Sequence, residues 1–171
     1  MTIVTLVGNP RGGSRTLAVA ARAAEVLGGR LFPSAEVDTV DLAGLASQIF
    51  SPEPSPGVEV ALELVRDASV LVVASPTYKG SYTGLLKAFL DRLPHQALAG
   101  KAAVPLLVLG DPKHSLAVEV HLRPLLVELG AVVPTPGLAV LESRIPELDE
   151  LLAAWADRVA PQLAAWTGVP A

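Results

Sequence analysis

The chain contains no cysteine. That absence removes disulfides, thiolate-ligated metals and a cysteine nucleophile at once. Charge is also sparse: the formal net charge is −4, with no block of like charges. Nothing in that balance attracts nucleic acid or an anionic membrane, so neither is expected as a partner. No apolar run approaches the roughly 18 residues that span a bilayer. The most apolar stretch, Ala102–Leu109, is short and contains Pro105. The first apolar segment stops at Gly8, too early for a secretory leader. Together these absences lead us to expect a cytoplasmic protein. The three histidines, His95, His114 and His121, do not form a metal set. Two of them could share a helix face, but zinc would need a third ligand. Ser14 and Ser75 lack the nucleophile-elbow context of serine hydrolases.

What is present is apolar: 51% of 171 residues, enough for one domain over 1–171 with a sizeable core. Short apolar runs alternate with helical periodicity. The pattern predicts strands over 2–7, 37–42, 70–74 and 102–109, with a last strand inside 131–141. It predicts helices over 14–27 (ended by Gly28-Gly29), 58–66, 83–93, 113–129 (kinked at Pro124) and 146–166. The 44–57 stretch reads as a loop with one short helical turn. Pro105 implies a bulge or an unpaired edge in its strand. Trp155 and Trp166 lie at helical spacing and read as packing residues. This alternation implies an α/β fold with five parallel strands in the flavodoxin-like order 2-1-3-4-5. Ligands in such a sheet bind at the carboxyl ends of the first and third strands.

Two loops fall at those ends. The first reads Gly8-Asn9-Pro10-Arg11-Gly12-Gly13-Ser14-Arg15-Thr16. A helix N-terminus offers unpaired amides and partial positive charge, and glycines let backbone approach an anion. Ser14 and Thr16 add hydroxyls, and Arg11 and Arg15 add fixed charge. The loop is neither a Walker loop nor G-x-G-x-x-G. By itself it reads equally as a phosphate cradle or as a plain βα turn. The second loop, Ser75-Pro76-Thr77-Tyr78-Lys79-Gly80, is stiffened by Pro76. It would offer the amides of Thr77, Tyr78 and Gly80 and the Tyr78 face to a flat ring. Alone it could equally be a turn with a helix cap. Lys79 could reach a cofactor phosphate or simply lie in solvent. Asp38 and Asp41 flank the second strand and read as a solvated strand end.

Taken together, the two loops resemble the NAD(P)H-dependent FMN reductases. The first is similar to their G-S-P-R-x-x-S-x-[ST/N] phosphate loop. The second, continued through Ser81-Tyr82-Thr83-Gly84-Leu85-Leu86-Lys87, is similar to their [ST]-P-x-Y-x-x-[SG]-[YF]-[ST]-[GA]-x-L-K segment. The likeness continues through Phe89–Pro94, Leu98–Lys101 and the helix around Arg123-Pro124, so it covers most of the chain. The nearest subgroup is the reductase of alkanesulfonate monooxygenase systems.

The resemblance implies FMN and NAD(P)H as ligands. The flavin phosphate would sit on Arg11, Ser14, Arg15 and Thr16. Pro76, Thr77, Tyr78, Lys79 and Gly80 would surround the isoalloxazine, with Gly110 and Asp111 near the ring edge. It implies a homodimer or homotetramer pairing through the Leu85–Leu93 helix and the kinked 113–129 helix, both rich in apolar residues, and a flavin-dependent monooxygenase as partner. Hydride transfer needs alignment and no strong base, so no general base is assigned. Two alternatives stand beside it: an FMN-bound quinone, azo-dye or chromate-type reductase, and a non-catalytic flavodoxin-like electron carrier, a class usually far more acidic than a chain of net charge −4.

Two positions depart from the pattern. Gly110-Asp111-Pro112 stands where the family commonly has Gly-Gly and a small polar residue. The Asp111 carboxylate either faces the ring edge or pairs with Lys113 in solvent, and the second suits a charged loop residue better. Val120 stands near the place where the sulfonate subgroup often carries an aromatic residue in a bulged helix turn.

Overall fold

The strands β1 (Thr2–Val7), β3 (Val70–Pro76) and β4 (Ala102–Leu109) are runs of aliphatic residues almost free of polar alternation. Such strands require cover on both faces. The computed structural model, which describes residues 1–32 and 36–167, supplies it. The last four residues of the expected 1–171 domain lie outside the described residues. β2 (Glu36–Asp41) and β5 (Leu138–Leu141) complete a five-stranded parallel sheet in the order β2-β1-β3-β4-β5. Because side chains alternate across a strand, β1 feeds two cores. Ile3 and Val7 pack with α1 (Arg15–Leu31) and α6 (Leu148–Thr167). Val4 and Leu6 pack on the other face with α3 (Pro56–Asp67) and α4 (Gly84–Leu90). In the β1–β3 register, Val7 stands opposite Ala74, so the loops leaving β1 and β3 start side by side.

Several element boundaries differ from the sequence expectation, each for a tertiary reason. α1 runs through Gly28 and Gly29 to Leu31, where the Phe32 amide closes it on the Gly28 carbonyl. Gly28 serves close packing: a Cβ there would lie 3.3 Å from Ile3 Cδ1. The 44–57 stretch holds a 3₁₀ turn (Leu42–Leu45) and the short α2 (Ala46–Ile49), and α3 then starts at Pro56. β4 carries Pro105 without a bulge, in unbroken register with β3. Ala103 donates its amide to Val132 on the β5 side. Pro105, two residues on, turns its missing donor the same way, just before β5 begins pairing at Leu106.

The expected helix over 113–129 is broken. A 3₁₀ turn covers Pro112–His114, a π-turn covers Val118–Leu122, and α5 covers only Arg123–Glu128. Pro124 is the second residue of α5, which continues directly from the turn before it. The wider turn before it, closed by Arg123 N–H on Val118 O, relieves the crowding that a proline ring imposes one turn back. The bulged turn therefore exists here without the aromatic residue. The last helix begins with a 3₁₀ segment, Glu142–Glu147, and becomes α6 at Leu148. Among the described residues, no helix is long and apolar enough to cross a membrane.

Candidate active site

The site starts at Gly8, whose amide extends the β1–β3 ladder by donating to Ala74 O at 2.8 Å. Only glycine fits, since a Cβ would lie 2.5 Å from Leu86 Cβ on α4. Asn9 follows, 7% exposed and bonded in two directions. Its Oδ1 accepts the Arg11 amide at 3.0 Å, and its Nδ2 donates to Thr16 Oγ1 at 3.1 Å. This fixes both arms of the loop. Gly13 turns with φ +62°, and Ser14 caps α1 by accepting the Leu17 amide at 3.1 Å. The amides of Gly12, Gly13, Ser14, Arg15 and Thr16 have no protein acceptor among the described residues. They stand at the positive end of a 17-residue helix.

The loop after β3 is built as a rigid neighbour. The buried Ser75 hydroxyl donates to Pro76 O at 2.8 Å and accepts the Thr83 amide at 2.9 Å. Tyr78 and Ser81 exchange backbone hydrogen bonds at 2.8 and 3.2 Å. Lys79 at φ 53° and Gly80 at φ 80° fill the tight turn between them, in the left-handed region such turns demand. This corrects one expectation. The Thr77 amide is taken by Val108 O at 3.0 Å and the Tyr78 amide by Ser81 O, because the first continues the sheet and the second closes the turn. Of the three amides expected to face a ring, the Gly80 amide alone has no acceptor among the described residues.

The two loops share one cavity of about 320 Å³. Arg11, Gly12, Gly13, Ser14, Arg15 and Thr16 line one side, and Pro76 and Tyr78 line another. The cavity also takes in two residues that the sequence reasoning missed, Asn9 and Glu142. Arg15 Nη1 lies 3.0 Å from Glu142 Oε2, while Arg11 has no carboxylate partner among the described residues. Unpaired amides, two hydroxyls and two guanidinium groups suit a phosphomonoester well. Thr77, Lys79, Gly80, Gly110 and Asp111 are not among the residues that line this cavity. Asp111 is turned to its own loop. Its carboxylate caps the Pro112–His114 turn through the Lys113 amide at 3.0 Å and pairs with Lys113 Nζ at 2.8 Å. Hydrogen bonds from the Lys113 side chain and amide hold the Asp111 carboxyl below its ordinary pKa.

The sequence profile of the NADPH-dependent FMN reductases matches residues 1–144. The chain belongs to this family. An NADPH-dependent FMN reductase of Escherichia coli K12 is 35% identical over 147 residues, covering 85% of this chain and 75% of its own. An NADH-dependent FMN reductase of Pseudomonas putida is 33% identical over 127 residues, with 72% and 68% covered. The solved apo form of an NADH:FMN oxidoreductase superposes with a TM-score of 0.84 at 32% identity, covering 94% of this chain and 88% of that one. The family match ends at residue 144 and so includes Glu142.

Proposed function

We propose that the protein is an NAD(P)H:FMN oxidoreductase. The cradle of Arg11, Ser14, Arg15 and Thr16 takes the FMN phosphate. The segment Pro76, Thr77, Tyr78, Lys79 and Gly80 borders the isoalloxazine, with Gly110 and Asp111 toward its far edge. The observation that carries this reading is the single cavity shared by the 11–16 loop with Pro76 and Tyr78. Bound FMN supplies an electron-poor ring that accepts hydride from the nicotinamide. The chain's part is to anchor the phosphate, align the ring and limit water at its edge. Lys113 neutralises Asp111, which keeps an uncompensated negative charge away from a ring that gains electron density.

The protein works in the cytoplasm as a homodimer or larger homo-oligomer and passes reduced FMN to a flavin-dependent monooxygenase. Leu116 and Val120, one turn apart and 65% and 49% exposed, give the broken helix an apolar surface for such pairing. Oxidation of NADH and NADPH, followed with and without added FMN, tests the activity. Turnover that depends on free FMN is the expected result. Turnover of quinone by tightly bound flavin would favour a quinone reductase instead, and no oxidation at all would sink both.

A further inference from the structure

Among the residues that line the cavity, Glu142 alone carries a negative charge. Glu142, at the start of the 3₁₀ segment after β5, places its carboxylate on Arg15 inside the same cavity. We propose that Glu142 is a built-in competitor for the FMN phosphate: its carboxylate occupies Arg15 when the cradle is empty and must yield when phosphate enters. The inference rests on the cradle being the FMN phosphate site, as proposed above.

The geometry makes the exchange easy. The Arg15 side chain is 66% exposed and that of Glu142 35% exposed, so their ion pair is weak and opens readily. A phosphomonoester carries about −1.5 to −2 charge at neutral pH and accepts forked hydrogen bonds, so it displaces a single carboxylate. Displacement leaves Glu142 near a like charge, which lowers affinity and speeds departure. A carboxylate in this position therefore biases the site toward flavin that binds, is reduced and leaves. It acts on the phosphate and not on the ring.

The test compares FMN with riboflavin, which has the same ring and no phosphate. Flavin-fluorescence quenching gives dissociation constants, and stopped-flow mixing gives release rates. Glu142→Gln keeps the shape and removes the charge. It is expected to tighten FMN by about three- to tenfold, mostly through slower release, and to leave riboflavin unchanged. Glu142→Ser should act in the same direction, which guards against a peculiarity of the glutamine. Unchanged or weaker FMN binding in variants that melt like the wild type overturns the proposal, since Glu142 would then merely hold Arg15 in place. Equal affinity of the wild type for FMN and riboflavin overturns the cradle reading itself, and is recognisable before any variant is made.

Discussion

The Thr83 hydroxyl donates to the carbonyl of Gly8, joining the residue that caps α4 to the residue that opens the first loop. The same oxygen accepts the Leu86 amide at 3.2 Å, and the Thr83 amide bonds to Ser75. Two buried hydroxyls thus tie these elements together: that of Thr83 joins the end of β1 to the start of α4, and that of Ser75 joins the end of β3 to the Thr83 backbone. The two loops of the cavity inherit their spacing from these bonds, so precision in the site comes from buried hydroxyl-to-backbone hydrogen bonds behind it.

Thr83→Ala should expose this dependence. It removes a helix cap and leaves the Gly8 carbonyl without its buried donor, at a cost of about 1–3 kcal/mol. Thr83→Ser keeps both bonds and should recover most of the loss. Urea unfolding of the two variants checks the energies. Flavin binding should weaken with Thr83→Ala even though Thr83 does not line the cavity, and a wild-type affinity would show that the loops hold their spacing without this link.

Among the described residues Arg11 has no carboxylate to leave, so its contribution to phosphate binding should appear undiminished. Arg11→Ala is expected to weaken FMN by about tenfold, as befits one lost charge-assisted contact, while riboflavin affinity stays within about twofold. Parallel titrations with the two flavins measure both. An equal loss for FMN and riboflavin would place Arg11 against the ring and not the phosphate.

The contrast between Arg11 and Arg15 shows how far the sequence could be read. β3 and β4 were legible because both are buried on both faces and carry uninterrupted apolar runs. The donors of the first loop were legible because helix-end chemistry is local. Asn9 carries a local signal: an asparagine two residues before Arg11 can bond that residue's amide, as it does. Glu142 had none. It meets Arg15 only because α1 and α6 pack side by side on one face of the sheet, joined also by Arg22–Asp149 and Arg30–Asp157, which brings the turn after β5 to the start of α1. The end of α1 is illegible for a similar reason, since Gly28 answers to Ile3 on the sheet and not to the helix terminus. The broken helix at 112–128 likewise depends on contacts with the 133–137 segment, remote in the local pattern.

The exposed Val120 offers a test of assembly. If Leu116 and Val120 form part of a self-contact, Val120→Asp places a charge in an apolar interface and should split the oligomer. Light scattering is expected to show the wild type as a dimer or larger and the variant at half that mass or less. The variant should keep its secondary structure, because Val120 is 49% exposed in the single chain. A monomeric wild type would remove the idea.

The π-turn is held by Glu119 and Arg123, and this clamp should make stability depend on pH. Glu119 Oε1 accepts the Gly137 amide at 2.6 Å and Arg123 Nη2 at 3.2 Å, while Arg123 donates to Val133 O at 2.8 Å and Thr135 O at 2.7 Å. The turn is thereby bolted to the segment that leads into β5. The hydrogen bond from Arg123 is the largest cause of a lowered Glu119 pKa; burial opposes it, and the Gly137 amide adds to it. In acid, the unfolded chain therefore binds this proton more readily than the folded one, so stability rises with pH there. The contribution is complete above the ordinary value of 4.5 and is lost as pH falls through the lower folded value. With both side chains about a third exposed or less, Glu119→Gln should cost about 1 kcal/mol at neutral pH. The gap between wild type and variant, measured by urea unfolding, should close as the buffer is taken well below the ordinary carboxylate range. A gap that stays constant with pH would mean that the shape of Glu119, and not its charge, holds the turn.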